Sequence, residues 1–119
     1  MKIEVKHQKD VTIVAVNGSV DALTAPDLAR AIVDEIAKGR VNLVVDLTGV
    51  EFMSSAASRT LLGALKESRR QGGDLRLAST NPGIDRVLKM PGFHNIARVF
   101  TSYADAVASF GLQARLHSK

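Results

Sequence analysis

A mixed α/β fold, a sheet covered by helices, is what this amino-acid sequence predicts. Two β-type segments separated by a turn signal open the chain. Strand-like and helix-like periodicities then alternate to its end, with glycine or proline at the junctions. The expected order is β-β-α-β-α-β-α-(β)-α, an initial hairpin followed by βα alternation, which implies a mixed sheet.

Ile3, Val5 and His7 alternate with Lys2, Glu4 and Lys6, the pattern of a half-buried edge strand. Val11 to Val16 is rich in β-branched residues and stops at the turn signal Asn17-Gly18. Thr24 with Asp27 forms a capping-box signature, and Pro26 is tolerated in a first turn, where N–H groups lack intrahelical partners. Leu28, Ile32 and Ile36 then mark one helix face, and Gly39 ends that helix. Val41 to Leu47 is a nearly continuous apolar run, as expected of a strand covered on both faces. After a short connection and a second apolar step, Phe52-Met53, a helix runs from about Ser55 to Gln71 with Ala57, Leu61, Leu65 and Ser68 on one stripe. Asp74 to Ser79 follows Gly72-Gly73 as a fourth strand. A short helix after Asn81-Pro82 turns Ile84, Val87 and Leu88 inward and stops at Pro91-Gly92. Val99-Phe100 is a brief last strand, and Ser102 caps a terminal helix carrying Ala106, Val107 and Phe110. Leu112 to Lys119 reads as a frayed basic tail.

The 119 residues make one domain, and with aromatics at 4% its core must be aliphatic. The absence of cysteine excludes disulfides and thiolate metal sites. His7, His94 and His117 lack metal-ligand spacing and read as surface residues, so no metal or cofactor is expected. No apolar run approaches a membrane span, and the N-terminus reads directly as a strand, so a cytoplasmic protein without membrane contact is the expectation. The net charge of +4 raises nucleic-acid binding. That charge sits largely in Lys66, Arg69, Arg70 and the tail, without interleaved aromatics to stack bases, so a solvated basic face and no nucleic-acid partner is the reading adopted.

Function concentrates in Asp46-Leu-Thr-Gly-Val-Glu-Phe-Met-Ser-Ser-Ala-Ala-Ser-Arg59. A serine at a helix start can accept an orphan backbone N–H, and a hydroxyl there lies beside the positive end of the helix dipole, which suits an added phosphate. The segment resembles the signature of STAS domains of the anti-sigma factor antagonist family, roughly Asp-Leu-Ser/Thr-x-Val-x-Phe-Met/Ile-Asp-Ser-Ser/Ala-Gly. Three further matches stand in the family's order: Gly18-Ser-Val-Asp21-Ala-Leu-Thr24, Gly72-Gly73 before the fourth strand, and Asn81-Pro82 through Val87-Leu88 to Gly92-Phe93. The resemblance implies a STAS domain over residues 1–111, with a mixed, mainly parallel sheet of four to five strands and four helices, followed by the basic tail 112–119.

The same resemblance makes Ser55 the phosphoacceptor, with Asp21, Met53, Ser54, Ala56, Ser58 and Arg59 as partner-binding residues. Taken alone, a serine before a helix is a structural cap; the surrounding signature reverses that reading. Asp21 is equally compatible with a local turn, and Met53 with the core. Asp46 reads as local hydrogen bonding. Ser54 replaces the usual acid, Ala57 the usual glycine, and Ser58-Arg59 the usual Leu-Gly. These departures change the surface a kinase inspects while leaving the hydroxyl and the helix start in place.

The implied partners are an anti-sigma factor that is also a GHKL-type serine kinase, and a PP2C-type phosphatase. The chain itself would be a monomer or weak dimer. It would be a substrate of phosphoryl transfer and not an enzyme. Ser55 lies in no nucleophile elbow, and Gly72-Gly73 lacks the lysine and spacing of a P-loop. The alternatives are a standalone STAS subunit with another output, in secretion, signalling or lipid transport, and a basic nucleic-acid-binding module.

Overall fold

The computed structural model describes residues 1–89 and 97–117, with backbone alone at 89 and 112–117. The expected stop at Pro91-Gly92, the Gly92-Phe93 match and His94 lie outside the described residues. The elements are β1 (Lys2–Gln8), β2 (Val11–Val20), α1 (Ala25–Ala37), β3 (Asn42–Met53), α2 (Ser55–Arg70), β4 (Asp74–Ala78), α3 (Pro82–Lys89), β5 (Val99–Phe100) and α4 (Tyr103–His117). Their order is the expected one. The sheet runs β1-β2-β3-β4-β5, with β1 antiparallel to β2 and every later pair parallel.

Alternation along the strands divides the core into two layers. Val14 and Val16 of β2, Leu43, Val45 and Leu47 of β3, and Leu75 and Leu77 of β4 point to one face, where Leu28, Ile32 and Ile36 of α1, Leu61 and Leu65 of α2, and Ile84 and Leu88 of α3 cover them. Val11, Ile13 and Val44 point the other way, against Ala106 and Phe110 of α4. Arg76 shares this second face although it is fully buried. Its Nε donates to Asp74 Oδ2 at 3.1 Å, Nη1 donates to Ser109 Oγ at 2.7 Å, and the guanidinium stacks 4.0 Å from the Phe110 ring centroid. Burial pulls the Arg76 pKa down, opposed by Asp74.

Four local expectations are corrected. β2 does not stop at Asn17-Gly18. Gly18 takes φ 99°, register shifts flank the pair, and the strand continues to Val20, so the turn signal is spent on bulges. β3 likewise runs unbroken to Met53 instead of ending at Leu47. β1 is exposed almost throughout, with only Ile3 half-buried, because the covering helices pack over the central strands. The helix of α4 extends to His117, past the expected start of the tail at Leu112. Arg69 is tied to Asp74 at 2.8 Å and Arg70 to Glu67, so the basic α2 face is partly neutralised.

Glu35 ties β1 to α1. The residue is buried, yet its carboxylate meets His7 Nε2 at 2.8 Å, Arg40 Nη1 at 3.0 Å and Lys38 Nζ at 3.3 Å. The His7 hydrogen bond, with Arg40 and Lys38 adding to it against the effect of burial, lowers its pKa from 4.5 to about 2. A depressed carboxylate stabilises the fold above its unfolded value, and that contribution is lost as pH falls from 4.5 toward 2. The three partners are about half exposed, so screening holds the expected contribution to on the order of 2 kcal/mol. Urea unfolding of Glu35→Gln should therefore trail the wild type at pH 7 and converge with it in strong acid. An equal gap at both pH values would contradict this role.

Candidate functional site

The end of β3 delivers the chain directly into α2, and that junction builds the site. Ser54 is the N-cap. It has extended backbone (φ −81°, ψ 166°), and its Oγ accepts from Ala57 N–H at 3.2 Å. Its own N–H donates to Val20 O at 2.9 Å, and Val20 pairs in register with Met53. The ends of β2 and β3 are thereby locked together, and Ser55 becomes the first helical residue, with its side chain exposed. Among the described residues Ser55 has no hydrogen-bond or ion-pair partner. Of the two serines, one is occupied in holding the helix start and the other is presented to solvent.

The β2–α1 turn stands beside this junction. Asp21 Oδ1 accepts from Leu23 N–H and Thr24 N–H, both at 3.0 Å, and Thr24 Oγ1 accepts from Asp21 N–H at 2.9 Å. These bonds, the Thr24 N–H first, hold the Asp21 carboxyl below its ordinary pKa. Thr24 is the α1 N-cap, but its hydroxyl is committed to this turn and makes no cap hydrogen bond. The expected capping box with Asp27 therefore does not form. Asp46 accepts from Thr48 N–H at 3.0 Å and from Thr48 Oγ1 at 2.7 Å, the local role expected of it.

Burial sorts the expected contact residues. Arg59 is exposed, and Ala56, Ser54 and Asp21 are half-buried. Met53 is 1% exposed and packs in the main core. Ser58, expected at the exposed helix start, is also 1% exposed, and its Oγ has no hydrogen-bond partner. Both lie under the surface. The helical repeat explains the correction: Ser58 shares the inward face with Ala57 and Leu61, whereas Ser55 and Arg59 lie one turn apart on the outer face.

Two surface residues were not identified from the sequence. Leu23 is 87% exposed in the β2–α1 turn, and Phe52 is 55% exposed one residue before buried Met53. A signal for Phe52 existed, because adjacent strand residues point to opposite faces and Phe52-Met53 cannot both be core. Leu23 is apolar within a turn otherwise held by polar side chains. Among the described residues no group of three or more His, Asp or Glu could hold a metal ion, and no helix is long and apolar enough to cross a membrane.

A serine is thus displayed at the head of α2, on the edge of the mainly parallel sheet where β3 ends. The STAS domain family model matches residues 2–106, and the chain belongs to that family. Among its relatives, the anti-sigma F factor antagonist of Paenibacillus polymyxa is 29% identical over 109 residues, covering 90% of this chain and 92% of that protein. The anti-sigma-B factor antagonist of Listeria monocytogenes is 29% identical over 100 residues, covering 83% and 88%. An anti-sigma factor antagonist from Mycobacterium paratuberculosis superposes with a TM-score of 0.84 at 26% identity, covering 91% of this chain and 92% of that one. The anti-sigma factor antagonist SpoIIAA, solved unphosphorylated and phosphorylated, shares the fold at 15% identity, with TM-scores of 0.74 and 0.71 and coverage of 92% and 91% of this chain, 97% and 99% of theirs.

Proposed function

We propose that this chain is a cytoplasmic anti-sigma factor antagonist that works by phosphorylation-controlled partner switching, with Ser55 as the phosphoacceptor. The observation that carries the reading is the exposed, uncommitted Ser55 hydroxyl beside a neighbouring serine already used as the cap. Relatives that align over most of the chain are named as such antagonists, which supports the output.

Unphosphorylated, the surface formed by the Asp21 turn, Leu23, Phe52, Ser55, Ala56 and Arg59 docks on an anti-sigma factor and displaces its sigma factor. Leu23 and Phe52 supply the apolar anchors that such an interface needs. Met53 and Ser58 support that surface from below. The anti-sigma factor is also a GHKL-type serine kinase, which brings Mg-ATP, positioning and a base. Ser55 Oγ forms a bond to the γ-phosphorus as the bond to the β-bridging oxygen breaks. ADP leaves, and the hydroxyl proton passes to the kinase's base. The product phosphate adds about −1.5 to −2 charge where the interface accepted a neutral hydroxyl. A PP2C-type phosphatase removes it by hydrolysis.

The test is Ser55→Ala. This variant should bind the cognate kinase as well as the wild type does, remain unmodified by ATP, and release the sigma factor persistently. Loss of kinase binding in a folded Ser55→Ala protein would count against a switch that requires only the phosphate.

A further inference from the structure

We propose that Arg59 is an internal phosphate ligand: once Ser55 is phosphorylated, the Arg59 guanidinium pairs with that phosphate across one turn of α2. This rests on the reading of Ser55 as the modified residue and adds a residue that regulates its outcome. Ser55 and Arg59 are both exposed on α2 and stand at i and i+4, the spacing at which side chains on a helix face each other about 5–6 Å apart. The sense of the pair is favourable, with the anion toward the helix N-terminus and the cation toward its C-terminus.

Arg59 is also available. Several other arginines are engaged, Arg30 with Asp27, Arg69 and Arg76 with Asp74, and Arg70 with Glu67. Arg86 of α3 has no ion-pair partner among the described residues but does not share the i, i+4 spacing with Ser55. Arg59 has no such partner among the described residues. The elements that adjoin α2 or pack against it carry charge of both signs. The β2–α1 turn brings Asp21, β3 brings Glu51, α1 brings the Asp27–Arg30 pair, and α3 brings Asp85 and Arg86. Arginine suits the role because its planar fork can meet two phosphate oxygens at once.

One modification would then change two contact groups. Before phosphorylation, Arg59 is a free cation on the docking surface. Afterwards it is held by the phosphate, so a partner loses that cation as well as meeting the new charge.

The test encodes phosphoserine genetically at position 55 of the full chain, so that no kinase is needed. Phosphorus NMR titrations would compare wild type, Arg59→Gln and Arg59→Lys, with thermal melts of the unphosphorylated proteins as a folding control. The second phosphate pKa should be about half a unit lower with Arg59 than with Gln, Lys should lie between, and the difference should shrink in about 1 M salt. The helix terminus acts equally on all three, so the difference reports Arg59. Superposable titrations of wild type and Arg59→Gln would overturn the proposal. A kinase that leaves Ser55 unmodified would refute the phosphoacceptor reading while leaving this chemical result standing.

Discussion

Gly73→Ala should destabilise the fold by about 3 kcal/mol, the largest effect expected of an alanine at any described glycine. A Cβ at position 73 would sit 2.0 Å from the Val41 carbonyl oxygen and 2.5 Å from its carbon. These are backbone atoms and cannot swing aside. Relief must come from moving the start of β4, where Gly73 N–H donates to Ser68 O at 2.8 Å and Asp74 N–H to Val41 O at 3.1 Å. The β3–β4 register begins at that point, with Asn42 opposite Asp74. Gly72 provides the internal comparison. It has φ 92° but open space around its Cβ position, so Gly72→Ala should cost only the left-handed backbone penalty, about 1–2 kcal/mol. Urea denaturation of both variants should rank Gly73→Ala clearly lower in stability, and the reverse ranking would contradict the packing of the start of β4 against the start of β3.

Phosphorylation of Ser55 should weaken kinase binding about a hundredfold, the equivalent of roughly 3 kcal/mol. The magnitude follows from placing about two negative charges in a contact shaped for a hydroxyl, where they must be desolvated or repelled. Inside the free protein the same charge is tolerated, because Ser55 occupies the first turn of α2 and faces solvent. The phosphorylated chain is therefore expected to remain folded and to lose its partner. Ser55→Asp should show a smaller loss, since one carboxylate copies only part of a phosphate dianion. Calorimetric titration of the kinase with the modified and unmodified chains measures both effects, and equal affinities would rule out the switch.

The element order and both helix core stripes were legible because hydrophobic periodicity reports burial directly. Leu28, Ile32 and Ile36, and Ala57, Leu61, Leu65 and Ser68, are all buried as their spacing implies. What periodicity could not show was how local signals are resolved by strand pairing. Asn17-Gly18 has turn composition, yet β3 alongside it gives β2 a partner to continue with, and the glycine is absorbed in irregular register. Thr24 and Asp27 have capping-box spacing, but Asp21 reaches Thr24 first and takes its hydroxyl. At the site, motif matching made Ser55 the acceptor and Ser54 a partner-contact residue, but it did not show which of the two serines caps the helix. The cap bond to Ala57 N–H divides them, because it commits Ser54 and leaves Ser55 on the outer face. Ser58 was misplaced for the same reason: alignment to a motif marks a position in the chain, whereas the helical turn decides which way it points.

The most direct measurement is a phosphate map. The full chain would be incubated with its cognate kinase and Mg-ATP, digested, and sequenced by tandem mass spectrometry. One phosphate on Ser55 is expected, with Ser54 unmodified because its Oγ is engaged at the head of α2. A phosphate found on Ser54 alone, or none after incubation with a kinase shown to bind the chain, would contradict the assignment of Ser55 as the switch.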